Sequence, residues 1–242
     1  MRVALALALL VKCLDVFCAD EVRRELPEQK TWYAVSLPAG YNAKTKYEVF
    51  IAMQGSGDTP DNVVKFWRSV LRGRNCIIAA PKPADTRFWN FDESEKAKAT
   101  LEDLKKTYSI DEKRVNLLGF SAGCAIGFKV IGAYPGTFRV FGGLAHVIHE
   151  EMTDDELNPA ADKTAVFYSV GAADAKYIEK ARKSAERLKT LKFDCSADFP
   201  EKVGHTCTLD QVRKLTAFID GVYAKDAKAA AAQKDAKAPA AK

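Results

Sequence analysis

The sequence predicts one α/β domain whose central sheet is mostly parallel, with helices on both faces. Short apolar segments alternate along the chain with longer segments whose apolar residues recur at helical spacing. Two of the short segments, residues 47–53 and 76–80, are almost continuous in apolar residues. Such strands are expected where helices cover both faces of a parallel sheet, and the alternation itself is typical of α/β proteins.

The strands are predicted from apolar segments that end at turn-forming residues. Residues 31–37 are rich in β-branched and aromatic side chains and run into Pro38, which favours an edge strand. Residues 76–80 stop at Pro81. Further strands are predicted at residues 47–53, 115–118, 138–146, 165–170 and 193–199.

The helices are predicted from apolar residues that lie three or four positions apart. Val63, Trp67 and Val70 have this spacing within residues 60–71. Residues 122–131 are small and apolar nearly all round, which indicates a buried helix. The remaining helices are predicted at residues 97–108, 178–188 and 209–219.

Length and charge suit a globular protein and give no support to nucleic-acid binding. The chain has 242 residues, 48% of them hydrophobic, which is enough for one sizeable core. The formal net charge is +5, but residues 1–19 contribute +1 and residues 224–242 contribute +3. The predicted domain, residues 20–224, is therefore nearly neutral, whereas nucleic-acid-binding domains are usually basic.

The two ends of the chain are predicted to lie outside the folded domain. Residues 1–19 resemble a signal peptide, because Arg2 precedes an apolar run that is too short to span a bilayer. Cleavage is expected after Cys18 or Ala19, giving a secreted or periplasmic protein without stable membrane insertion; the alternative is an uncleaved N-terminal helix. Residues 225–242, mostly alanine and lysine, are predicted to be disordered or at best transiently helical.

The most informative motif is Gly119-Phe-Ser-Ala-Gly123, which matches the G-x-S-x-G nucleophile elbow. It lies between the predicted strand at residues 115–118 and the predicted buried helix, which is the context that the motif requires. A tight turn of this kind exposes the serine hydroxyl and directs the first amides of the helix at the space above it. Ser121 is therefore the candidate nucleophile.

A serine nucleophile needs a base, and the base needs an orienting acid. His205 follows the last predicted strand and Asp174 follows the strand before it, so both fall at the same edge of the sheet as Ser121. The chain order Ser, Asp, His is the usual one for this motif. We therefore predict the triad Ser121, Asp174 and His205.

Other residues compete for these roles. His146 and His149 also follow a predicted strand, but they precede Asp174 in the chain and are expected to line the acyl pocket or cap a loop. Asp198 is the main alternative acid because it is close to His205 in sequence. Weaker alternatives are Asp154, Asp155 and Asp162.

The oxyanion formed during acyl transfer needs preorganised hydrogen-bond donors. We expect one donor to be the Ala122 amide and another to come from the loop containing Gln54, Gly55 and Ser56, where glycines allow the backbone to approach a substrate. The three histidines lack metal-ligand spacing with cysteines, so neither a metal nor another cofactor is expected.

Several short motifs together resemble one family. They are Leu37-Pro-Ala-Gly-Tyr41, Gly55-Ser-Gly57, Ile110-Asp-Glu-Lys-Arg114, the elbow, Gly171-Ala-Ala-Asp174 and Gly204-His205. From about residue 31 to 223 the chain resembles the α/β-hydrolase serine esterases, especially the polyhydroxybutyrate depolymerase, feruloyl esterase and phospholipase/carboxylesterase groups. The resemblance implies an eight-stranded sheet and hydrolysis of carboxylic esters by Ser121, Asp174 and His205. Gln54 departs from it, because these groups usually have histidine there.

The predicted triad and the resemblance are compatible with three functions. The favoured one is a serine esterase without a large lid, whose partner is a small-molecule or polymeric ester. The alternatives are a serine peptidase of the same fold and a catalytically silent binding module. The substrate and the oligomeric state do not follow from the sequence.

The cysteines leave two alternatives open. In an oxidising compartment Cys195 and Cys207, which flank the loop of His205, would form a disulfide. Otherwise Cys76, Cys124, Cys195 and Cys207 are free thiols.

Overall fold

A computed structural model describes residues 21–237, which form eight strands and six α-helices. The strands are β1 (Glu21–Leu26), β2 (Thr31–Ser36), β3 (Tyr47–Met53), β4 (Cys76–Pro81), β5 (Ile110–Phe120), β6 (Val140–Leu144), β7 (Ala165–Ser169) and β8 (Cys195–Asp198). The helices are α1 (Pro60–Val70), α2 (Glu95–Thr107), α3 (Ala122–Ala133), α4 (Asp154–Leu157), α5 (Ile178–Thr190) and α6 (Leu209–Lys237). Short 3-10 turns occur at Phe91–Ser94 and Asn158–Ala160.

The described strands form one sheet in the order β1-β2-β4-β3-β5-β6-β7-β8. The pairs β1–β2 and β2–β4 are antiparallel, and every other neighbouring pair is parallel. The predicted α/β fold with a mostly parallel sheet is confirmed. The carboxyl ends of β3 to β8 share one edge of the sheet, where α/β proteins usually bind their ligands.

Helices cover both faces of the sheet and produce two apolar clusters. Successive residues of β3 alternate between them, with Val49 and Ile51 in one cluster and Phe50 and Ala52 in the other. Helices α2, α3 and α5 pack on the first face, and α1 and α6 pack on the second. This two-sided cover explains why the central strands read as continuous apolar runs.

The strand β1 was not predicted, and it changes the position of β2. Residues 31–37 were expected to form an edge strand. The strand is present as β2, but it pairs with β1 on one side and β4 on the other, so the predicted edge position is wrong. Four of the six β1 residues are charged, which hid the strand from a search for apolar segments. Side chains hold it instead: the Arg24 Nε donates to Asp103 Oδ2 at 2.8 Å and to Tyr33 Oη at 2.9 Å.

The last helix extends further than the sequence analysis predicted. Residues 225–242 were expected to be disordered or at best transiently helical. In the structure α6 continues to Lys237, and its side chains from residue 224 to 233 are exposed. Alanine and lysine are good helix formers, so a helix already begun at Leu209 continues without packing. Buried contacts anchor its first half, because the Tyr223 hydroxyl lies 2.8 Å from Asn116 Oδ1 and 3.0 Å from Glu48 Oε1.

Two other predictions concern the ends of the chain and the cysteines. The signal peptide at residues 1–19 and its cleavage site lie outside the described residues. Within them, none of the helices is long and apolar enough to cross a membrane. Cys195 and Cys207 are free thiols that pack against opposite faces of the sheet, so the structure has free thiols in place of the alternative disulfide.

Candidate active site

Ser121 occupies a strained turn between β5 and α3. Its φ is +52° and its ψ is −120°, a conformation that a residue with a side chain rarely adopts. Backbone hydrogen bonds hold it there: the Ser121 amide donates to the Leu144 carbonyl at 2.9 Å, and the Ser121 carbonyl accepts from the Cys124 amide at 2.8 Å. The turn raises the side chain above the carboxyl ends of the strands.

The two glycines of the motif allow this turn to sit close to its neighbours. A Cβ atom on Gly123 would clash with the Met53 carbonyl oxygen at the end of β3. A Cβ atom on Gly119 would clash with the Gly123 carbonyl oxygen. The elbow therefore packs directly against the chain that leaves β3, and glycine is the residue type that permits it.

Ser121, His205 and Asp174 form a continuous hydrogen-bonded chain. His205 Nε2 lies 2.8 Å from Ser121 Oγ, and His205 Nδ1 lies 2.7 Å from Asp174 Oδ2. The Asp174 side chain is 5% exposed and that of His205 is 38% exposed. When Nδ1–H donates to the carboxylate, the Nε2 lone pair is free to accept the serine proton.

The loops that carry Asp174 and His205 are bonded to each other. The Ala173 amide donates to the Val203 carbonyl at 2.9 Å, and the Ala172 amide donates to the Pro200 carbonyl at 2.9 Å. These bonds join the loop after β7 to the loop after β8. The backbone thus fixes the separation of the carboxylate and the imidazole that it contacts.

The other two histidines have different contacts. His146 stacks on Tyr177, with ring centroids 4.4 Å apart, and Tyr177 lies 5.3 Å from the His205 ring. Burial is the main cause that lowers the pKa of His146, and the contact of its ring with the Val147 carbonyl opposes this shift. His149 packs edge-on against Phe91 at 4.8 Å.

The alternative acids also have other partners. Asp198 accepts from Lys214 Nζ at 3.0 Å and from the Ser169 hydroxyl at 3.3 Å. Asp154 accepts from Arg187 Nε at 2.7 Å. Asp155 and Asp162 are both exposed.

The loop after β3 lies beside the elbow, because Met53 and Gly119 are partners in the sheet register. Gln54 is buried. Its side-chain Nε2 donates to the Asp58 main-chain carbonyl at 2.6 Å, and the main-chain carbonyl of Gln54 accepts from Trp89 Nε1 at 2.9 Å. Gln54 thus braces the loop from inside, while Ser56 at its tip is exposed. On the elbow side, Ala122 begins α3, so its amide has no carbonyl one turn earlier to bond.

Sequence reasoning missed two aromatic residues that lie close to His205. The Phe120 ring lies 5.6 Å from the His205 ring, and the Tyr177 ring lies 5.3 Å from it. Phe120 also lines an apolar cavity of about 210 Å³, together with Met53, Val63, Phe66, Trp67 and Cys207. The position of Phe120 inside the motif was a usable signal, whereas nothing in the sequence around Tyr177 marked it.

Among residues 21–237, no group of three or more histidine, cysteine or acidic side chains is arranged to hold a metal ion.

Sequence comparison gives no relatives for this chain. No protein-family model matches it, and no curated protein matches it either. The comparison with solved structures, in contrast, gives many matches.

Three of these structures illustrate the likeness. A Bacteroides ovatus protein assigned as a dipeptidyl aminopeptidase IV has a TM-score of 0.69 and 14% identity, over 84% of this chain and 36% of that one. A feruloyl esterase module from Clostridium thermocellum has a TM-score of 0.62 and 16% identity, over 81% and 84%. A phospholipase/carboxylesterase from Dyadobacter fermentans has a TM-score of 0.58 and 16% identity, over 84% and 96%.

These likenesses establish the fold. The chain has the α/β-hydrolase fold that the sequence motifs resembled, and it spans about a third of the length of the Bacteroides protein. Because one fold carries many activities, the reaction has to be argued from the site.

Proposed function

We propose that this protein is a serine hydrolase that cleaves carboxylic esters through an acyl-enzyme intermediate. The observation that carries the proposal is the chain of hydrogen bonds from Asp174 through His205 to Ser121, at 2.7 and 2.8 Å. A nucleophile, a base in contact with it and a buried acid that orients the base are what acyl transfer needs.

The roles follow from the atoms in contact. Ser121 Oγ attacks the ester carbonyl carbon while His205 Nε2 takes its proton. The tetrahedral intermediate then collapses, and His205 returns the proton to the departing alcohol. His205 Nε2 then takes a proton from a water molecule that attacks the acyl-serine carbonyl. When this second intermediate collapses, His205 returns the proton to Ser121 Oγ and the acid is released. Asp174 keeps Nδ1 protonated and stabilises the imidazolium.

The oxyanion would be bound by backbone amides. The Ala122 amide belongs to the unpaired first turn of α3, at the positive end of the helix dipole. The second donor would come from Gly55 or Ser56, in the loop that Gln54 and Trp89 hold beside the elbow. Because the donors are main-chain groups, glutamine in place of the usual histidine is compatible with this role.

Esters are favoured over the alternatives for two reasons. Structures with this fold include several named as esterases, although one is assigned as a dipeptidyl aminopeptidase. A silent binding module would have no need of three side chains held in reactive contact. The comparison of esters with anilides described below therefore distinguishes an esterase from a peptidase.

The test is a panel of para-nitrophenyl esters of increasing acyl length, together with aryl esters and matched anilides. Wild type is expected to hydrolyse esters, and Ser121→Ala is expected to lose at least about a thousandfold in kcat. Ser109→Ala, at the opposite edge of the sheet, is the matched control and should act as wild type. Hydrolysis of anilides with equal efficiency would favour a peptidase, and activity that survives in Ser121→Ala would overturn the proposal.

We also propose that the protein is exported. The support is the pattern of residues 1–19, a positive start followed by an apolar run. N-terminal sequencing of the mature protein should begin after Cys18 or Ala19, whereas a retained Met1 in the secreted or periplasmic fraction would argue for an uncleaved helix.

A further inference from the structure

We propose that a basic groove beside the triad binds a carboxylate on the substrate, so that the preferred esters carry a negative charge. This inference rests on the proposed function and names the substrate class of the same site. The groove is about 550 Å³ and runs between the segment after β6 and the start of α5. It is lined by His146, Ile148, Lys176, Tyr177, Lys183 and Ser184, with others.

The groove begins at the catalytic histidine. Tyr177 forms one of its walls, and the Tyr177 ring lies 5.3 Å from the His205 ring. The His146 ring lies 4.4 Å from the Tyr177 ring and also lines the groove. A substrate whose ester group sits at Ser121 can therefore extend past Tyr177 into the groove.

The basic side chains of the groove come from one face of a helix. Lys180, Lys183 and Arg187 are three or four positions apart in α5, which brings them to one side. Lys176 precedes the helix and lies over the Tyr177 ring, with Nζ 4.9 Å from the ring centroid. Four basic side chains thus line one concave surface, and the three lysines among them are exposed to solvent.

Two of these cations are already compensated. Arg187 donates to Asp154 Oδ1 at 2.7 Å and to the Met152 carbonyl at 2.6 Å. Lys180 Nζ lies 3.9 Å from the exposed Glu150 carboxylate. Among residues 21–237, Lys176 and Lys183 form no ion pair, so these two leave a net positive charge in the groove.

The two recesses beside the triad differ in chemistry. The cavity at Phe120 is lined mainly by apolar side chains, with Asp58 as its single charged residue. The groove at Tyr177 adds cations to a floor of Val147 and Ile148, which are 8% and 6% exposed. An ester with a neutral group on one side and a carboxylate on the other matches the apolar cavity and the basic groove. A lysine ammonium group attracts a carboxylate and donates hydrogen bonds to it.

The experiment compares charged esters with their neutral methyl esters. One pair carries the charge on the acyl side, as para-nitrophenyl hydrogen adipate and its methyl ester. The other carries it on the alcohol side, as para-acetoxybenzoate and its methyl ester. Release of the phenol gives kcat/KM for each, in wild type, Lys176→Gln, Lys183→Gln and the double variant. Lys113→Gln, an exposed lysine at the opposite edge of the sheet, is the matched control.

In at least one pair, wild type should favour the charged ester at low ionic strength. The ratio of kcat/KM, charged over neutral, should fall about threefold in each lysine variant and about tenfold in the double variant, and should shrink in ~0.5 M salt. Lys113→Gln should keep the wild-type ratio.

Two results would overturn the inference while the proposed function stands. They are hydrolysis of the neutral esters without preference for a charged one, and a preference that the double variant retains. If wild type hydrolyses none of the four esters, the proposed function fails instead. In that case the full chain is titrated with adipate, and the NMR chemical shifts of the amides of residues 176–187 are followed. If these shifts do not change, the proposed carboxylate site is overturned.

Discussion

At the residue scale, Ser121, His205 and Asp174 depend on each other through two short hydrogen bonds. Ser121→Ala and His205→Ala should each lower kcat by several orders of magnitude, and the double variant should be little worse than either, because the groups act as a unit. Asp174→Asn should cost a similar amount or less, since it disturbs the orientation of the base. Steady-state kinetics on one ester would measure all four variants.

The same kinetics separate His205 from the other histidines. His146→Gln and His149→Gln should change KM or substrate preference modestly, because neither ring contacts Ser121. Near-normal turnover in His205→Ala, together with a large loss in a His146 variant, would contradict the assignment of the base.

A second residue-scale prediction concerns acid stability. Burial lowers the pKa of His146 from its ordinary value of 6.5 in the folded protein. Protons then bind the unfolded chain more readily, so the free energy of unfolding should fall as the pH drops below about 6.5 toward the lower folded pKa. Urea unfolding at pH 7.5 and 5.5 measures this fall, and His146→Gln should make it smaller. An equal fall in wild type and variant would refute the role of His146.

At the element scale, the contact between the elbow and β3 sets the position of the nucleophile. In Gly123→Ala the new methyl group would clash with the Met53 carbonyl, so either the elbow or the loop at Gln54 has to move. We expect a loss of about 3 kcal/mol in the free energy of unfolding, with a large fall in activity. Urea unfolding and ester turnover measure the two effects.

Gly221 provides the matched control for this substitution. It lies inside α6, and a Cβ atom there would meet nothing within 4 Å. Gly221→Ala should therefore raise the free energy of unfolding by about 0.5–1 kcal/mol and leave turnover unchanged. A stable, active Gly123→Ala variant would show that the close contact at the elbow is unnecessary.

At the scale of the whole molecule, we expect residues after about 224 to be unnecessary for catalysis. Between residues 224 and 233, α6 forms two ion pairs at the protein surface, one between the half-buried Arg139 and Asp226 at 2.7 Å and one between Lys225 and Asp194 at 3.0 Å. Surface pairs contribute about 0.2–1 kcal/mol each, so truncation after Ala224 should lower stability by roughly 1 kcal/mol and keep full turnover. Thermal unfolding and ester kinetics test both expectations.

A contrasting substitution lies just before the truncation. Tyr223→Phe removes the hydroxyl that contacts Asn116 and Glu48, which are both buried, and should cost about 1–3 kcal/mol. If truncation after Ala224 is more damaging than this, or lowers turnover tenfold, the end of α6 has a role beyond surface packing.

The sequence predicted the parts of the fold that depend on local patterns. Continuous apolar strands such as residues 47–53 and the glycines around Ser121 reflect burial and close packing, which leave a direct trace in residue type. β1 has no such pattern in its sequence, because this charged strand is held in place by hydrogen bonds from Arg24 to residues elsewhere in the chain. Contacts between distant segments, such as Tyr177 on His205 or the basic groove, arise only when the loops meet.

The length of α6 was missed for a different reason. Composition alone indicated that the tail could not bury apolar surface, and the side chains of residues 225–233 are exposed, but helix propagation from the anchored first half needs no packing. A charged, alanine-rich segment that follows a packed helix is therefore a helix extension here.

The central claim is that Ser121 is a nucleophile activated by its contact with His205. The most direct measurement is labelling by a fluorophosphonate, with the modified peptide identified by mass spectrometry. Wild type should be labelled stoichiometrically at Ser121, and His205→Ala should be labelled at least a hundredfold more slowly, with Ser109→Ala labelled as wild type. An unlabelled Ser121 in folded wild-type protein, or a label at another serine, would contradict the account.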